Sequence, residues 1–186
     1  MVTLGTGVGG GIVIDGKVYS GFNHAGGELG HMVIHQNGRQ CSCGRRGCFE
    51  AYSSATALSA MTKEKILACK ENGISSIMVD EYAVSGKATA RTAFSAMKQG
   101  DAPAKEVVDT YIAYLATGIA NIINIFQPEV VSIGGGISNE GQSLIDAVLP
   151  LVATERYGGD HVPATELRIA TLKNDAGIIG AAMLGA

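Results

Sequence analysis

No apolar run in this sequence reaches the ~18 residues that a membrane-crossing helix requires, so no membrane partner is expected. No basic stretch leading into an apolar core opens the chain, so no secretory leader is visible and a reducing cytoplasm is the expected compartment. Neither sign of charge dominates: 14 Lys and Arg against 17 Asp and Glu give a net charge of −3. That balance argues against nucleic acid as a partner. The one tight basic pair is Arg45-Arg46. No Lys-Ser or Lys-Thr follows the main glycine run, Gly5-Thr6-Gly7-Val8-Gly9-Gly10-Gly11, so it is not a Walker A loop. It also lacks the strand-to-helix setting of a dinucleotide fingerprint.

What is present is apolar and rich in glycine. The 186 residues, 46% of them hydrophobic, are enough for one sizeable domain with a real core. The 26 glycines fall in clusters, which suggests loops that approach a ligand closely. The densest chemistry lies between Gly27 and Glu50. Here Glu28 and His31 sit in GELGH, nine residues separate His31 from Cys41, and Cys43, Cys48 and Glu50 follow. Thiolates and imidazole are preferred zinc ligands, and four of them make the closed tetrahedral set of a structural site. Gly44 and Gly47 allow the C-x-C-x4-C loop to fold tightly. Three loop cysteines with a packed histidine, or a disulfide leaving one cysteine over, are the alternatives.

A closed set leaves no open metal position, so the ion would fix a loop rather than activate water. His31 would give one ring nitrogen to zinc and keep the other for hydrogen bonding. With Glu28 and Glu50 it would grip a polyol, since carboxylates accept from sugar hydroxyls. Alternatively, Glu28 is a solvated loop acid and Glu50 an acid favoured by a helix start. Cys69 falls in a helical pattern and reads as a small buried hydrophobe.

The N-terminal run predicts strands at Val2–Leu4 and Gly11–Ile14 and a hairpin turn at Asp15-Gly16. The glycines between are too many for plain strand, and with the Thr6 hydroxyl they suggest an anion nest for phosphate; a flexible connector is the alternative. Helices are expected at 51–61 and 63–71, broken at Asn72-Gly73, then at 89–99 and at 104–126, where the long helix is capped by Asp101 and stopped near Pro128. Residues 75–81 are ambiguous. Val107, Val108, Tyr111, Ile112, Leu115, Ile119, Ile122 and Ile123 recur at helical spacing and predict a helix crossing the core. Glu129 to Gly136 reads as a buried strand running into glycines, followed by a helix at 141–154. Gly134, Gly135 and Gly136 either face a nucleotide or make a plain tight turn. A strand at 167–172 and a small-residue helix at 176–184, able to pack close to the sheet, complete the chain. Asn174 or Asp175 caps that helix in preference to acting as a catalytic acid.

LGTGVGGG at 4–11, GELGH at 27–31, CSCGRRGCFEAY at 41–52, VVSIGGGIS at 130–138 and NDAGIIGAA at 174–182 together resemble the ROK family (repressor, open reading frame, kinase), most closely its ATP-dependent bacterial glucokinases. The resemblance implies an α/β architecture of the actin-like ATPase, ribonuclease-H-like kind. It implies structural Zn²⁺ at His31, Cys41, Cys43 and Cys48, and sugar contacts from Glu28, His31 and Glu50. Thr6 and Gly7 would lie near the ATP phosphates, and Gly135 and Gly136 near the nucleotide. The family's D-x-G-G-T phosphate loop and its Asn-Asp catalytic pair have no counterpart here. Residues 1–186 are therefore expected to be the large C-terminal lobe alone, with a mixed sheet and flanking helices. The catalytic base and most Mg²⁺ contacts would lie outside it, and the chain would be inactive by itself. A hexose, most simply glucose, and ATP are the expected partners, with homodimerisation. The alternative is the sugar-sensing domain of a ROK repressor, which would need no nucleotide.

Overall fold

In the computed structural model, residues 1–172 and 175–183 are described. Six strands and seven α-helices are present among them. Strands β1 (Val2–Leu4), β2 (Val8–Gly10), β5 (Val130–Gly134) and β6 (Glu166–Ile169) form one sheet in the order β2-β1-β5-β6. The β1–β2 pair is antiparallel, whereas β1–β5 and β5–β6 are parallel. The sheet is therefore mixed, as expected. Strands β3 (Val13–Ile14) and β4 (Lys17–Val18) make a separate hairpin. Its turn residues Asp15 and Gly16 both have positive φ (51° and 73°), the geometry that matches strand twist in a two-residue turn. The hairpin exposes Val13 and Val18.

The glycine run departs from expectation. Val8-Gly9-Gly10 is regular strand at the edge of the sheet. Cross-strand pairing with Val2, Thr3 and Leu4 outweighs glycine's poor strand propensity, and the Thr3 hydroxyl fills the space beside Gly9.

The helices are α1 (Glu50–Ser53), α2 (Ala55–Glu71), α3 (Ile77–Ser85), α4 (Ala90–Lys98), α5 (Ala102–Phe126), α6 (Gln142–Glu155) and α7 (Asp175–Met183). Two expected helices over 51–71 are instead a single turn, α1, and one continuous helix, α2. The break falls at Ser54, whose extended backbone and hydroxyl cap α2 by accepting from Ala57 N at 3.0 Å. Thr62 does not break the helix, because it is buried and its hydroxyl donates back to the Leu58 carbonyl at 2.7 Å. The ambiguous segment becomes α3. Its first amides are taken by the Ser76 hydroxyl and by the Asp101 carboxylate, which lies 24 residues away in sequence. Asp101 also caps α5 through Ala104 N at 2.8 Å, so one buried acid starts two helices.

All eight apolar residues expected along α5 are buried. They pack against α4, α6 and the sheet in one contiguous core. Strand β6 begins one residue earlier and ends three earlier than expected. Helix α7 is present, but Ile178 and Met183 on it are exposed at 73% and 71%, rather than buried against the sheet. The cap assigned to Asn174 lies outside the described residues.

One contact in this core bears directly on the site. Phe49 is fully buried, and a methyl group at Gly118 of α5 would lie 2.1 Å from its ring. Gly118 thus leaves a socket for the ring that stands between Cys48 and Glu50. Gly118→Ala should cost ~1–3 kcal/mol through overpacking, read as a lower urea midpoint with an unchanged slope.

Candidate functional site

His31 ends a short 3₁₀ turn, Leu29–His31. The cysteine loop lies against it, held by Cys41 N to Arg45 O at 2.9 Å and Gly44 N to Cys41 O at 3.1 Å. Bridges Val33–Cys48 and Gln40–Arg46 tie its ends. Gly44 and Gly47 both take positive φ, 86° and 83°, as the tight loop requires. One ligand atom from each of His31, Cys41, Cys43 and Cys48 lies within 4.8 Å of every other. The Cys43 and Cys48 sulfurs are 3.7 Å apart, and Cys41 Sγ is 3.7 Å from His31 Nδ1. A tetrahedron with metal–sulfur bonds of ~2.3 Å has edges of ~3.7 Å. The donor set therefore fits a four-coordinate ion by both chemistry and spacing, and it can hold a metal. Nδ1 is the nitrogen turned to the sulfurs, which leaves Nε2 for another partner.

The thiols differ in environment. Burial pushes the Cys48 thiol up to about 12, helped by hydrogen bonds with Cys43 and Cys41. The exposed Cys43 thiol is lowered, chiefly by the Arg45 backbone N–H, with the hydrogen bonds from Cys41 and Cys48 and the Arg45 charge adding to this. The Arg45 guanidinium itself donates to the His31 carbonyl at 3.3 Å, and Arg46 to the Gln40 side chain at 3.3 Å. The loop is further braced by aromatic packing. Tyr52, buried, accepts the Arg39 N–H at 2.7 Å and stacks on His35 with ring centres 5.5 Å apart.

Glu50 begins α1, two residues after Cys48. Its Oε2 accepts the Val8 N–H at 3.0 Å; its Oε1 accepts the Ser42 hydroxyl at 3.2 Å and lies 3.8 Å from Cys41 Sγ. Glu50 and His31 thus meet at one sulfur. Glu28 stands at the N-cap position of the 3₁₀ turn without a capping bond from its side chain, and is exposed; neither Glu28 nor His31 lines the cavity that Glu50 lines.

That cavity, of about 610 Å³, is walled by Thr6, Gly7, Cys41, Ser42, Glu50 and Thr56 among others. A second cavity of about 890 Å³ lies between α2, α4 and the Gly136–Glu140 turn, and includes Thr6, Thr56, Lys98, Gly136 and Glu140. Thr6 and Thr56 face both. The Thr56 hydroxyl donates to the Thr6 carbonyl at 2.7 Å, and Ala55 N donates to the Gly5 carbonyl at 2.8 Å, so the first turn of α2 is sewn to the β1–β2 turn. Of the glycines expected near nucleotide, Gly136 is open and lines the larger cavity. Gly135 does not line it: its φ of 83° and the Leu4 backbone, 2.5 Å from any Cβ there, account for it. Gly7 is likewise explained by protein, since a Cβ would lie 2.1 Å from Glu50 Oε2.

Thr56, Lys98 and Glu140 escaped the sequence reading as site residues. Lys98 and Glu140 form an ion pair at 2.5 Å across the larger cavity. They are 42 residues apart and ordinary surface types in sequence. Of the three, Thr56 alone carried a signal, as a hydroxyl residue close to Ser53 and Ser54 in a run of small side chains.

The model of the ROK family matches residues 1–186. The glucokinase of Halalkalibacterium halodurans is 41% identical over 186 residues, 99% of this chain and 54% of that protein. A crystal structure of a ROK family glucokinase from Streptomyces griseus, in complex with glucose and AMPPNP, superposes with a TM-score of 0.85 at 30% identity, covering 98% of this chain and 58% of that one. A ROK family transcriptional regulator, a homologue of the E. coli MLC protein, superposes with a TM-score of 0.71 at 30% identity over 90% of this chain and 40% of that one. The chain spans about half the length of the curated relatives it matches.

The raised Cys48 value has a stability consequence for chain stripped of metal. A thiol held above its ordinary value of 9.0 favours the folded state fully below that value and ceases to as pH rises toward about 12. Melting temperature of chelator-treated chain should therefore fall between pH 9 and 11, and Cys48→Ser should flatten that slope.

Proposed function

The chain belongs to the ROK family, and from that premise we propose that it is the C-terminal lobe of an ATP-dependent glucokinase, transferring the γ-phosphoryl group of ATP to a hexose hydroxyl. The observation that carries this reading is the pair of adjoining cavities, one beside Glu50 and one beside Gly136, separated only by Thr6 and Thr56. In-line phosphoryl transfer depends mainly on positioning two partners and neutralising charge, and two guests meeting at one thin wall satisfy the first requirement.

In this reading the sugar occupies the Glu50 side. Glu50 keeps lone pairs beyond those given to Val8 and Ser42; His31 Nε2 and Glu28, which stand outside the lining of that cavity, are also assigned sugar contacts. The nucleotide takes the larger cavity, with Gly136 beside it and Thr6-Gly7 toward the phosphates. Zinc, held by His31, Cys41, Cys43 and Cys48, supplies a rigid four-ligand anchor for the loop and no open position for chemistry. The general base and most Mg²⁺ contacts belong to the part of the relatives' length that this chain does not span. A cytoplasmic homodimer with glucose as the hexose completes the proposal.

The similarity to a ROK regulator supports a second reading, a sugar sensor that binds no nucleotide. The larger cavity favours the kinase. Purified chain should contain about one zinc, and glucose at ~100 times its Kd should stabilise it by ~2.7 kcal/mol, an effect Glu50→Ala removes. A non-hydrolysable ATP analogue should give its own thermal shift, while the isolated chain forms no glucose-dependent ADP. A glucose shift with no nucleotide shift would select the sensor; loss of both would reject both readings.

A further inference from the structure

The Glu50 carboxylate stands where three parts of the molecule converge. Behind it, Cys48 and the buried Phe49 ring fix its backbone to the metal loop and to α5. Its Oε1 takes the hydroxyl of Ser42, a residue between two of the cysteines. Its Oε2 takes the N–H of Val8. Strand β2 is the edge of the sheet, so that amide points away from β1 and has no strand partner among the described residues. An edge N–H left open is a weak point in a sheet, and here a carboxylate closes it with a charge-assisted bond. Gly7 completes the fit, because any side chain there would occupy the position of Oε2. The glycine turn between β1 and β2 has few other restraints on this side. Its second fastening is to the first turn of α2.

We propose that Glu50 is a positioning residue as well as a sugar contact: it locks the turn that meets the nucleotide phosphates to the metal loop, so that the loop's order is passed to that turn. This rests on the functional reading above for what the turn and the loop hold. It adds that metal, sugar and phosphate sites are linked through one side chain rather than merely adjacent.

The test is amide hydrogen exchange at Val8, followed by NMR on the full chain as purified with its zinc. Glu50→Ala should speed exchange at Val8 by at least about tenfold, the scale of losing a local closing bond, with zinc content unchanged. Glu50→Gln, whose amide oxygen still accepts the Val8 N–H, should stay within about threefold of the parent. Gly7→Ala, which displaces the carboxylate from the other side, should reproduce the Glu50→Ala effect at Val8 while exchange at the core amides of α5 stays at the parent rate. Removing zinc with a chelator should speed Val8 exchange in the parent and add nothing in Glu50→Ala. Unchanged Val8 exchange in Glu50→Ala, failure of glutamine to rescue, or loss of zinc along with protection would overturn the proposal alone. A purified chain without zinc overturns the functional reading as well, and metal analysis distinguishes that case.

Discussion

The ring of Phe49 fills the space that any side chain at residue 118 would need. This contact sets the height of the cysteine loop above the long helix α5. Cys48 precedes the ring and Glu50 follows it, so a buried hydrophobic anchor fixes one thiol of the His/Cys cluster and the acid beside the smaller cavity in one step. The nearby Tyr111 hydroxyl, itself fully buried, donates to the Ser53 carbonyl at 2.8 Å, pinning the end of α1 to the same helix. The polar site is thus placed by an apolar core, whose side chains sit in few rotamers and yield little.

From that anchor the site grows outward through hydrogen bonds. Glu50 reaches the edge strand, the first turn of α2 reaches the glycine turn, and the cysteine loop closes through its own backbone. Each of these bonds is modest by itself. Together they define two cavities with one common wall. The cysteine loop buries Cys41 and Cys48 and gathers four potential ligand atoms within 4.8 Å, with the Tyr52–His35–Arg39 bracing beneath it.

Much of this was legible in the sequence. The C-x-C-x4-C spacing with His31 marked the His/Cys cluster that can hold a metal, because soft ligands seldom crowd together without a purpose. The eight apolar residues of α5 marked the core helix, because their spacing follows 3.6 residues per turn. What was hidden depends on partners distant in sequence. Strand β2 exists because β1 pairs with it, against glycine's own tendency. Helix α3 starts because Asp101 reaches Ile77. Gly7 and Gly135 looked like places for ligand to approach, and in the fold a carboxylate crowds the first and the Leu4 backbone the second. Glycine in a sequence announces crowding without saying by what. Lys98 and Glu140 meet only because the fold brings α4 against the turn after β5.

The thin partition formed by Thr6 and Thr56 has an evolutionary consequence. Apart from that pair, the two chambers have separate walls. Drift at Gln40, Ser42 or Ala60 can reshape the chamber beside Glu50 while the opposite chamber keeps its form. A lineage built on this scaffold can therefore remodel one chamber without relearning the shape of the other.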